Sequence, residues 1–232
     1  MRKGEVRRQA IIETADQLFC RKGYLETTVD DILLELGCSK GSFYHYFDSK
    51  LAVLQAICEE RVAAAFERYK AIRVTSTREK LDTLLYCMQP FRPEEEEFLL
   101  MTLRLRLRGE GLVMDGAMRQ SQRQLFKPEL QNVLMILNET GAAHIARPRL
   151  DDLVFEAYTA FYDELCEAML QCVRSGESVV RPVTQVVEAA RFLWERVLDM
   201  DYGSMTLIRL DEMLPVLERI AQKMRNLKSV NG

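Results

Sequence analysis

The sequence predicts an all-α protein. Apolar residues recur at spacings of three and four along nearly the whole chain, which is the period of an amphipathic helix. No stretch shows the alternation of apolar and polar residues that a half-buried strand requires. Of the 232 residues, 48% are apolar and 29% are charged. This composition suits a small N-terminal core and a larger second core, and it is not that of a disordered chain.

A helix-turn-helix pattern occupies residues 27–50. Thr28 and Asp31 stand three residues apart, which is the spacing of a capping box at the start of a helix. Gly37 ends that helix, because a residue without a Cβ adopts the left-handed backbone of a helix stop readily. Ser39 is a good N-cap for the next helix. The pattern therefore predicts two short helices joined by a tight turn.

The second of these helices separates aromatic from polar residues. At about 100° per residue, Phe43, Tyr46 and Phe47 share one arc. The opposite arc holds Lys40, Gly41, Tyr44 and His45. A recognition helix enters the major groove of DNA by its N-terminal end, where glycine lets the backbone come close to DNA. The pattern therefore predicts a DNA-recognition helix.

The first seventy residues resemble the N-terminal domain of the tetracycline-repressor (TetR) family of bacterial transcriptional regulators. The resemblance rests on a basic leader with a first helix over 7–21, Phe19 before Lys22-Gly23-Tyr24, the helix start Thr27 to Ile32, and the run from Gly37 to Lys50. Leu33, Leu34 and Cys38 depart from the residues usual in that family. These departures change packing volume and leave the presented face unchanged.

The resemblance implies a DNA-binding surface on these two helices. Residues implied to lie near phosphates are Thr28, Tyr44, His45 and Lys50, and those implied to approach the bases or the backbone beside them are Lys40, Gly41 and Ser42. The residues alone leave other interpretations open. Tyr44 could extend the aromatic core, His45 could be a solvated surface histidine, and Lys50 could simply begin the next helix.

Two domains are predicted: residues 1–49 as a helix-turn-helix DNA-binding domain, and residues 50–232 as a helical effector-binding and dimerisation domain. A long helix starting at Lys50 would connect them as a lever, since apolar residues recur on one stripe as far as Tyr69. Gly109, Gly111 and Gly116 predict a flexible break. Further helices are expected over about 78–89, 95–108, 117–139, 151–173 and 184–200, and from about 211 to 227.

Two late features predict a homodimer through the C-terminal helices. The helix over 151–173 carries two apolar stripes, as expected of an element packed against its own core and against a partner subunit. The last helix carries apolar residues at spacings of three and four, the pattern of a seam between packed helices. We therefore expect a four-helix interface between two copies, which is also how the resembled family dimerises.

The ligand of the second domain is predicted only in outline. Methionine fills irregular apolar space well, and aromatic side chains commonly line binding pockets. The candidate ligand-binding residues are Phe66, Tyr69, Met88, Met101, Arg104, Met118, Tyr158 and Tyr162. The alternative for the apolar members is ordinary core packing, and for Arg104 it is a solvated or ion-paired surface. We expect a small hydrophobic or amphipathic effector.

Together these features predict a ligand-responsive transcriptional regulator. A dimer would bind double-stranded, pseudo-palindromic operator DNA through two recognition helices. An effector that favours one spacing of those helices would change the affinity for DNA, and the resemblance implies repression that the ligand relieves. The alternative is a helical protein-interaction or ligand-sensing module without DNA binding.

Other classes of function are disfavoured. No pairing of nucleophile and base stands out, so we expect no enzymatic activity. The two histidines lie far apart and the six cysteines lack zinc-site spacing, so neither a metal nor a cofactor is predicted. The sequence shows no secretory leader and no apolar run of membrane-spanning length. We therefore expect a cytoplasmic protein with reduced thiols and no membrane partner.

Overall fold

Helices and short connections make up the computed structural model, which describes residues 3–144, 150–206 and 209–230. No strand occurs in these residues, so the all-α prediction is confirmed. None of their helices is both long and apolar enough to cross a bilayer. The α-helices are α1 (Lys3–Lys22), α2 (Val29–Leu36), α3 (Lys40–Tyr44), α4 (Lys50–Ala71), α5 (Thr77–Cys87), α6 (Glu96–Leu107), α7 (Gly111–Glu139), α8 (Leu150–Ser175), α9 (Val180–Val197) and α10 (Leu210–Val230), with a 3-10 turn over Pro93–Glu95.

One predicted break is wrong. Gly109 lies between helices with a φ of 78°, but α7 begins at Gly111 and runs through Gly116. A single glycine inside a helix costs only about 1 kcal/mol relative to alanine, and two contacts favour the helix here. Asp115 pairs with Arg106 at 2.7 Å, and Met114 is buried in the core. Packing therefore extends the helix through a sequence that locally favours a break.

The chain divides into two compact units. Unit 1 comprises the described residues up to Ala63 together with Glu97–Ser121, and unit 2 comprises Ala64–Glu96 and the described residues from Gln122 onward. The border of unit 1 differs from the predicted domain border at residue 50, because the first part of α4, most of α6 and the start of α7 belong to the same unit as the helix-turn-helix. Independent folding of residues 1–49 stays a prediction.

Unit 1 has a continuous apolar core beneath its three N-terminal helices. An ion pair of 2.6 Å joins Asp16 on α1 to Arg61 on α4, and the Arg61 guanidinium lies over the Phe98 ring at 4.1 Å. The buried residues of this core include Ile11, Ala15, Phe19, Ile32, Phe43, Leu54, Cys58, Met101, Leu105 and Met114. The helix-turn-helix is therefore fixed by side chains from α4, α6 and α7 as well as its own.

Unit 2 is organised around α8, which packs against both α9 and α10. Leu165 on α8 is buried, as are Leu217, Ala221 and Met224 on α10. The apolar seam predicted on the last helix is thus used inside the unit. An amphipathic pattern predicts that a helix face is covered, but it does not distinguish the chain's own helices from those of a partner.

Two carboxyl groups hold the connection that follows α9. Glu195 is buried and accepts hydrogen bonds from Gly203 N and Met205 N, each at 2.9 Å. Asp82 on α5 accepts a hydrogen bond from Thr206 N at 3.1 Å. Burial raises the pKa of Asp82 from 3.8 to about 6, and the nearby Glu195 adds to that increase. An ionised Asp82 is therefore unfavourable in the folded protein.

This raised pKa predicts a pH-dependent stability. A carboxyl whose folded pKa lies above its unfolded value contributes most at low pH, and that contribution is lost as the pH rises through about 6. We expect Asp82→Asn to raise the free energy of unfolding above this pH by roughly 1 kcal/mol, allowing for partial exposure. The amide is uncharged and still accepts the hydrogen bond from Thr206. Urea unfolding of both proteins at about pH 5 and about pH 8 measures the difference.

The matched control is Asp201→Asn, which changes an exposed aspartate in the same connection. We expect this control to unfold like the wild type at both pH values. A gain from Asp82→Asn that is equal at both pH values would contradict the role given to the ionised carboxylate.

Candidate nucleic-acid interface and effector region

Helix α2 begins with the predicted capping box. Asp31 N donates to Thr28 Oγ1 at 3.1 Å, and Thr28 N donates to Asp31 Oδ2 at 2.7 Å. Lys22 Nζ lies 2.8 Å from the same carboxylate. The hydrogen bond from Lys22, followed by those from Thr28, holds the pKa of Asp31 well below its usual range. The Thr28 side chain is exposed, and its hydroxyl is engaged in the cap.

The turn between α2 and α3 also follows the sequence pattern. Gly37 adopts the left-handed conformation with φ 61° and ψ 39°, and Cys38 N donates to Leu33 O at 3.0 Å. Ser39 then caps α3, since Ser42 N donates to Ser39 Oγ at 3.3 Å. The turn therefore ends one helix and begins the next with its own hydrogen bonds, as predicted.

Helix α3 presents a polar face over an aromatic core. Phe43 and Phe47 are buried, whereas the Tyr44 ring is 52% exposed. Tyr46 is only half-buried and meets the His45 ring edge-on at 4.7 Å between centroids. The residues exposed on the other side of this segment are Lys40, Gly41, Tyr44 and His45, with Ser42 half-buried.

The N-terminal end of this face is open to another molecule. Lys40 Nζ lies 3.0 Å from Asp30 Oδ1, and both side chains are 69% exposed. Exposed pairs of this kind contribute little to stability, so the Lys40 ammonium can exchange Asp30 for a different acceptor. A Cβ added at Gly41 would meet no atom within 4 Å. Packing within unit 1 therefore does not explain this glycine.

Lys50 has a structural role that the sequence analysis missed. Its ammonium donates to Tyr24 O at 2.7 Å and to Thr27 O at 2.8 Å, and it lies 4.3 Å from the centre of the Tyr24 ring. Burial lowers its pKa. Thr27, also unassigned by the sequence analysis, is buried and donates to Gly23 O at 2.7 Å. A phosphate contact of Lys50 stays a prediction.

The structure divides the candidate ligand-binding residues between the two units. Met101 is buried in the core of unit 1, Met118 packs against that core, and Arg104 is half-buried. The other five lie in unit 2: Phe66, Tyr69, Met88, Tyr158 and Tyr162. A common site for all eight stays a prediction, and only the second group belongs to one unit.

The aromatic candidates of unit 2 form two separate clusters. Phe66 lies 5.9 Å from Tyr69 and 5.1 Å from Phe126, measured between ring centroids. The Tyr69 hydroxyl is engaged, since it donates to Glu129 at 2.7 Å. In the second cluster Tyr162 stacks on Phe91 at 5.8 Å, and Tyr158 lies 6.5 Å from Trp194.

A buried irregular segment over 88–92 joins the second cluster, and sequence reasoning missed its polar residues. Arg92 Nη2 donates to Tyr86 O and Cys87 O, each at 3.0 Å. Gln122 Nε2 donates to Met88 O at 2.9 Å. Side chains therefore satisfy the last carbonyls of α5 and the first carbonyl of this segment, as a buried connection requires. The signal available in the sequence was an arginine between Phe91 and Pro93.

A groove of about 590 Å³ runs between α8 and α9. Small residues occupy much of it, and the exposed Leu193 stands at its edge, with 53% of its surface accessible. Its lining includes Ala157, Ala160, Phe161, Ala168, Pro182, Val186, Ala189, Ala190, Leu193 and Trp194. Small residues on two neighbouring helices let a further helix approach closely.

The described thiols and acidic groups do not form a recognisable reactive centre. No group of three histidine, cysteine, aspartate or glutamate side chains converges on a metal-sized site in the described residues. Burial raises the pKa of Cys20 and of Cys58 to about 12. Both thiols are therefore protonated and poorly nucleophilic near neutral pH.

Residues 11–57 match the family profile described as bacterial regulatory proteins, tetR family. This stretch contains most of α1, the whole helix-turn-helix and the start of α4. This part of the chain is similar to the TetR-family regulators. A solved TetR-family transcriptional regulator from Pectobacterium atrosepticum is 25% identical, with a TM-score of 0.62, and the likeness covers 85% of this chain and 97% of that one.

Two curated proteins with similar sequences extend the comparison. YuxN of Bacillus subtilis, an uncharacterized HTH-type transcriptional regulator, is 29% identical over 201 residues, which are 83% of this chain and 62% of YuxN. The HTH-type transcriptional repressor KstR2 of Mycolicibacterium smegmatis is 35% identical over 71 residues, which are 31% of this chain and 35% of KstR2. The chain thus spans less than two thirds of the length of either relative.

The contacts of Lys50 predict a measurable loss of stability on removal of its ammonium. In Lys50→Met the aliphatic stem remains, but Tyr24 O and Thr27 O lose their donor. We expect the free energy of unfolding to fall by about 1 to 3 kcal/mol, the range for hydrogen bonds to charged groups. Urea unfolding at fixed protein concentration measures it.

Lys70→Met on the same helix is the control. Lys70 is exposed, pairs with Glu67 three residues before it and lies 5.4 Å from the centre of the Phe66 ring, so loss of its ammonium should change stability by less than about 0.5 kcal/mol. Equal losses for the two variants would mean that the bonds to Tyr24 and Thr27 do not stabilise the fold.

Proposed function

We propose that this chain is a dimeric repressor of the TetR family that binds operator DNA through α3 and releases it when a small molecule binds in unit 2. The observation that carries this proposal is the exposed polar face of α3 over the buried Phe43. The family supports DNA binding, and the name of KstR2 supports repression. As a DNA-binding regulator the protein would act in the cytoplasm.

Two properties of α3 support contact with DNA. The ion pair of Lys40 with Asp30 is exposed and therefore weak, so a phosphate or a base edge can replace the aspartate. Gly41 stands where a side chain would point into open space, and a glycine is required there if a DNA backbone comes close. Tyr44 lies one turn further along and adds an exposed hydroxyl.

The double variant Lys40→Ala, Tyr44→Ala tests the recognition face. We expect its affinity for the protein's own upstream intergenic DNA to fall by at least about 30-fold, because each removed contact is worth roughly 1 to 3 kcal/mol. Dimerisation and thermal stability should stay close to wild type, since both side chains are exposed. Fluorescence anisotropy against a scrambled duplex at fixed salt measures the affinity.

The control for lost positive charge is Arg73→Ala, which changes an exposed residue outside the helix-turn-helix and should leave binding nearly unchanged. Wild-type affinity should also fall steeply with added salt, because bound phosphates release counterions. Normal operator binding by the double variant would show that the face is misassigned. Absence of sequence-dependent binding by the wild type would favour an interaction module instead.

We propose that the dimer forms through the groove between α8 and α9. Leu217, Ala221 and Met224 of the α10 seam are buried within unit 2. The groove is open and mostly apolar, and its polar lining residues are Glu164, Gln171 and Gln185. A second copy fits it by symmetry, because a two-fold interface places the same surface on both subunits. The small residues Ala160 and Ala189 permit close helix packing there.

The double variant Ala160→Glu, Leu193→Glu places a carboxylate on each side of the groove. We expect a monomer at micromolar concentration by analytical ultracentrifugation, because unpaired charges are strongly unfavourable in a desolvated interface. Operator affinity should fall with it, since one recognition helix then binds alone.

Leu112→Glu is the matched control. Leu112 is a more exposed leucine on α7, outside the groove, and this variant should sediment as the wild type does. A double groove variant that still sediments as a dimer would exclude α8 and α9 as the interface.

The response to an effector is proposed to pass along continuous helices. Residues of α4 and of α7 belong to both units, so a ligand that selects one arrangement of unit 2 acts on helices that also build unit 1. Linkage requires operator DNA to weaken the ligand by the same factor as the ligand weakens DNA. The ligand must therefore bind the two states with different affinities.

A further inference from the structure

Seven buried side-chain polar atoms in unit 2 have no hydrogen-bond partner among the described residues. Three of the seven belong to residues that are themselves buried, namely Gln89 Oε1, Arg92 Nη1 and the Tyr158 hydroxyl. Their side chains are 4%, 8% and 1% exposed, respectively. Buried polar atoms in folded proteins are nearly always paired, and each exception calls for an explanation. We call these three residues the polar triad.

The triad belongs to one neighbourhood. Gln122, which donates to Met88 O, lies beside the Tyr158 hydroxyl, and Met88 precedes Gln89 in the chain. Burial raises the pKa of Tyr158, and the positive charge of Arg92 lowers it. Arg92 therefore lies close enough to act on the same hydroxyl. The segment over 88–92 therefore faces α8 at Tyr158.

Arg92 is held in place but not neutralised. Its Nη2 donates to two backbone carbonyls, which fixes the plane of the guanidinium. The Arg92 guanidinium lies 5.2 Å from the centre of the Tyr86 ring, and Glu212 is the carboxylate that its charge acts on, without forming an ion pair among those found in the described residues. A buried cation without a paired anion is unfavourable in an apolar interior, so its Nη1 is suited to a ligand anion.

The surroundings of the triad are apolar. Phe91 stacks on Tyr162, Met88 is buried, and Trp194 lies 6.5 Å from Tyr158 between ring centroids. A few polar groups within an apolar lining are the usual composition of a small-molecule site. Such surroundings suit a ligand with an apolar body next to a polar head.

We propose that the polar triad binds the carboxylate head group of an amphipathic small molecule, the effector of this regulator. Arg92 Nη1 and the Tyr158 hydroxyl donate to the carboxylate oxygens, and guanidinium–carboxylate bonds are among the stronger hydrogen bonds in proteins. The Gln89 amide can rotate to present its NH₂ group as a further donor. This inference rests on the proposed function only in naming the ligand as the effector.

The test uses Trp194, the single tryptophan of the chain, as a fluorescent reporter. The full-length protein is titrated with decanoate and with 2-naphthoate, each compared with its methyl ester. We expect saturable changes in Trp194 emission with at least one carboxylate, and binding of its ester weaker by at least about tenfold. Failure of both carboxylates to bind, or esters that bind as tightly, would overturn the proposal.

Three variants locate the carboxylate. Arg92→Gln should remove the preference for carboxylate over ester. Tyr158→Phe should weaken the carboxylate several-fold with little change in thermal stability, because the hydroxyl it removes has Gln122 beside it but no hydrogen bond of ordinary geometry. This variant keeps the test valid if Arg92→Gln fails to fold. Arg123→Gln, which removes an exposed arginine elsewhere in unit 2, should bind as the wild type does. A preference retained in Arg92→Gln, or an unchanged affinity in Tyr158→Phe, would overturn the proposal.

DNA binding measured in parallel separates this inference from the proposed function. Sequence-dependent binding of upstream DNA without binding of either carboxylate would overturn the triad as a carboxylate site and leave the DNA-binding function standing. Carboxylate binding that depends on Arg92, without DNA binding, would support the triad as a carboxylate site and contradict the proposed DNA-binding function. Release of the DNA by the bound carboxylate, but not by its ester, would support both.

Discussion

Burial of Phe43 is the constraint on which the proposed DNA-binding surface depends. Helix α3 has only five residues, and a helix that short has almost no stability of its own, because the cost of nucleation is spread over too few hydrogen bonds. The Phe43 ring anchors it in the core of unit 1, while Gly37 and Ser39 determine where α2 ends and α3 begins. Once the ring points inward, helical geometry places Lys40 and Tyr44 outward.

In unit 2, some polar groups remain in the interior without a partner. Arg92 satisfies the carbonyls of Tyr86 and Cys87, and Gln122 satisfies that of Met88, yet Arg92 Nη1 and the Tyr158 hydroxyl stay unpaired. Phenylalanine in place of Tyr158 would avoid the cost of the buried hydroxyl, so stability does not explain that hydroxyl. Departures from local rules of this kind are expected where a protein binds something.

Sequence reasoning succeeded where a feature is local. The capping box of Thr28 and Asp31, the stop at Gly37 and the arc of Phe43 all depend on spacings of a few residues, and the structure confirms them. It failed for contacts between distant residues. Lys50 bonds to carbonyls more than twenty positions away, and α7 runs through Gly116 because Asp115 pairs with Arg106. Neither partner can be identified from periodicity.

The difference between local spacing and distant contacts also explains why the sequence predicted a dimer but not which surface would form it. Apolar spacing on α10 indicated a covered face, and the cover is α8 and α9 of the same chain. The apolar periodicity of the sequence indicated the groove between α8 and α9 less clearly, because alanine adds little to the hydrophobicity of a helix face. A two-fold interface must be complementary to itself, and this groove contains both small residues, such as Ala160, and a bulky one, Leu193. Because symmetry can bring the leucine of one copy over the alanines of the other, this surface can meet its own copy without a second, different patch.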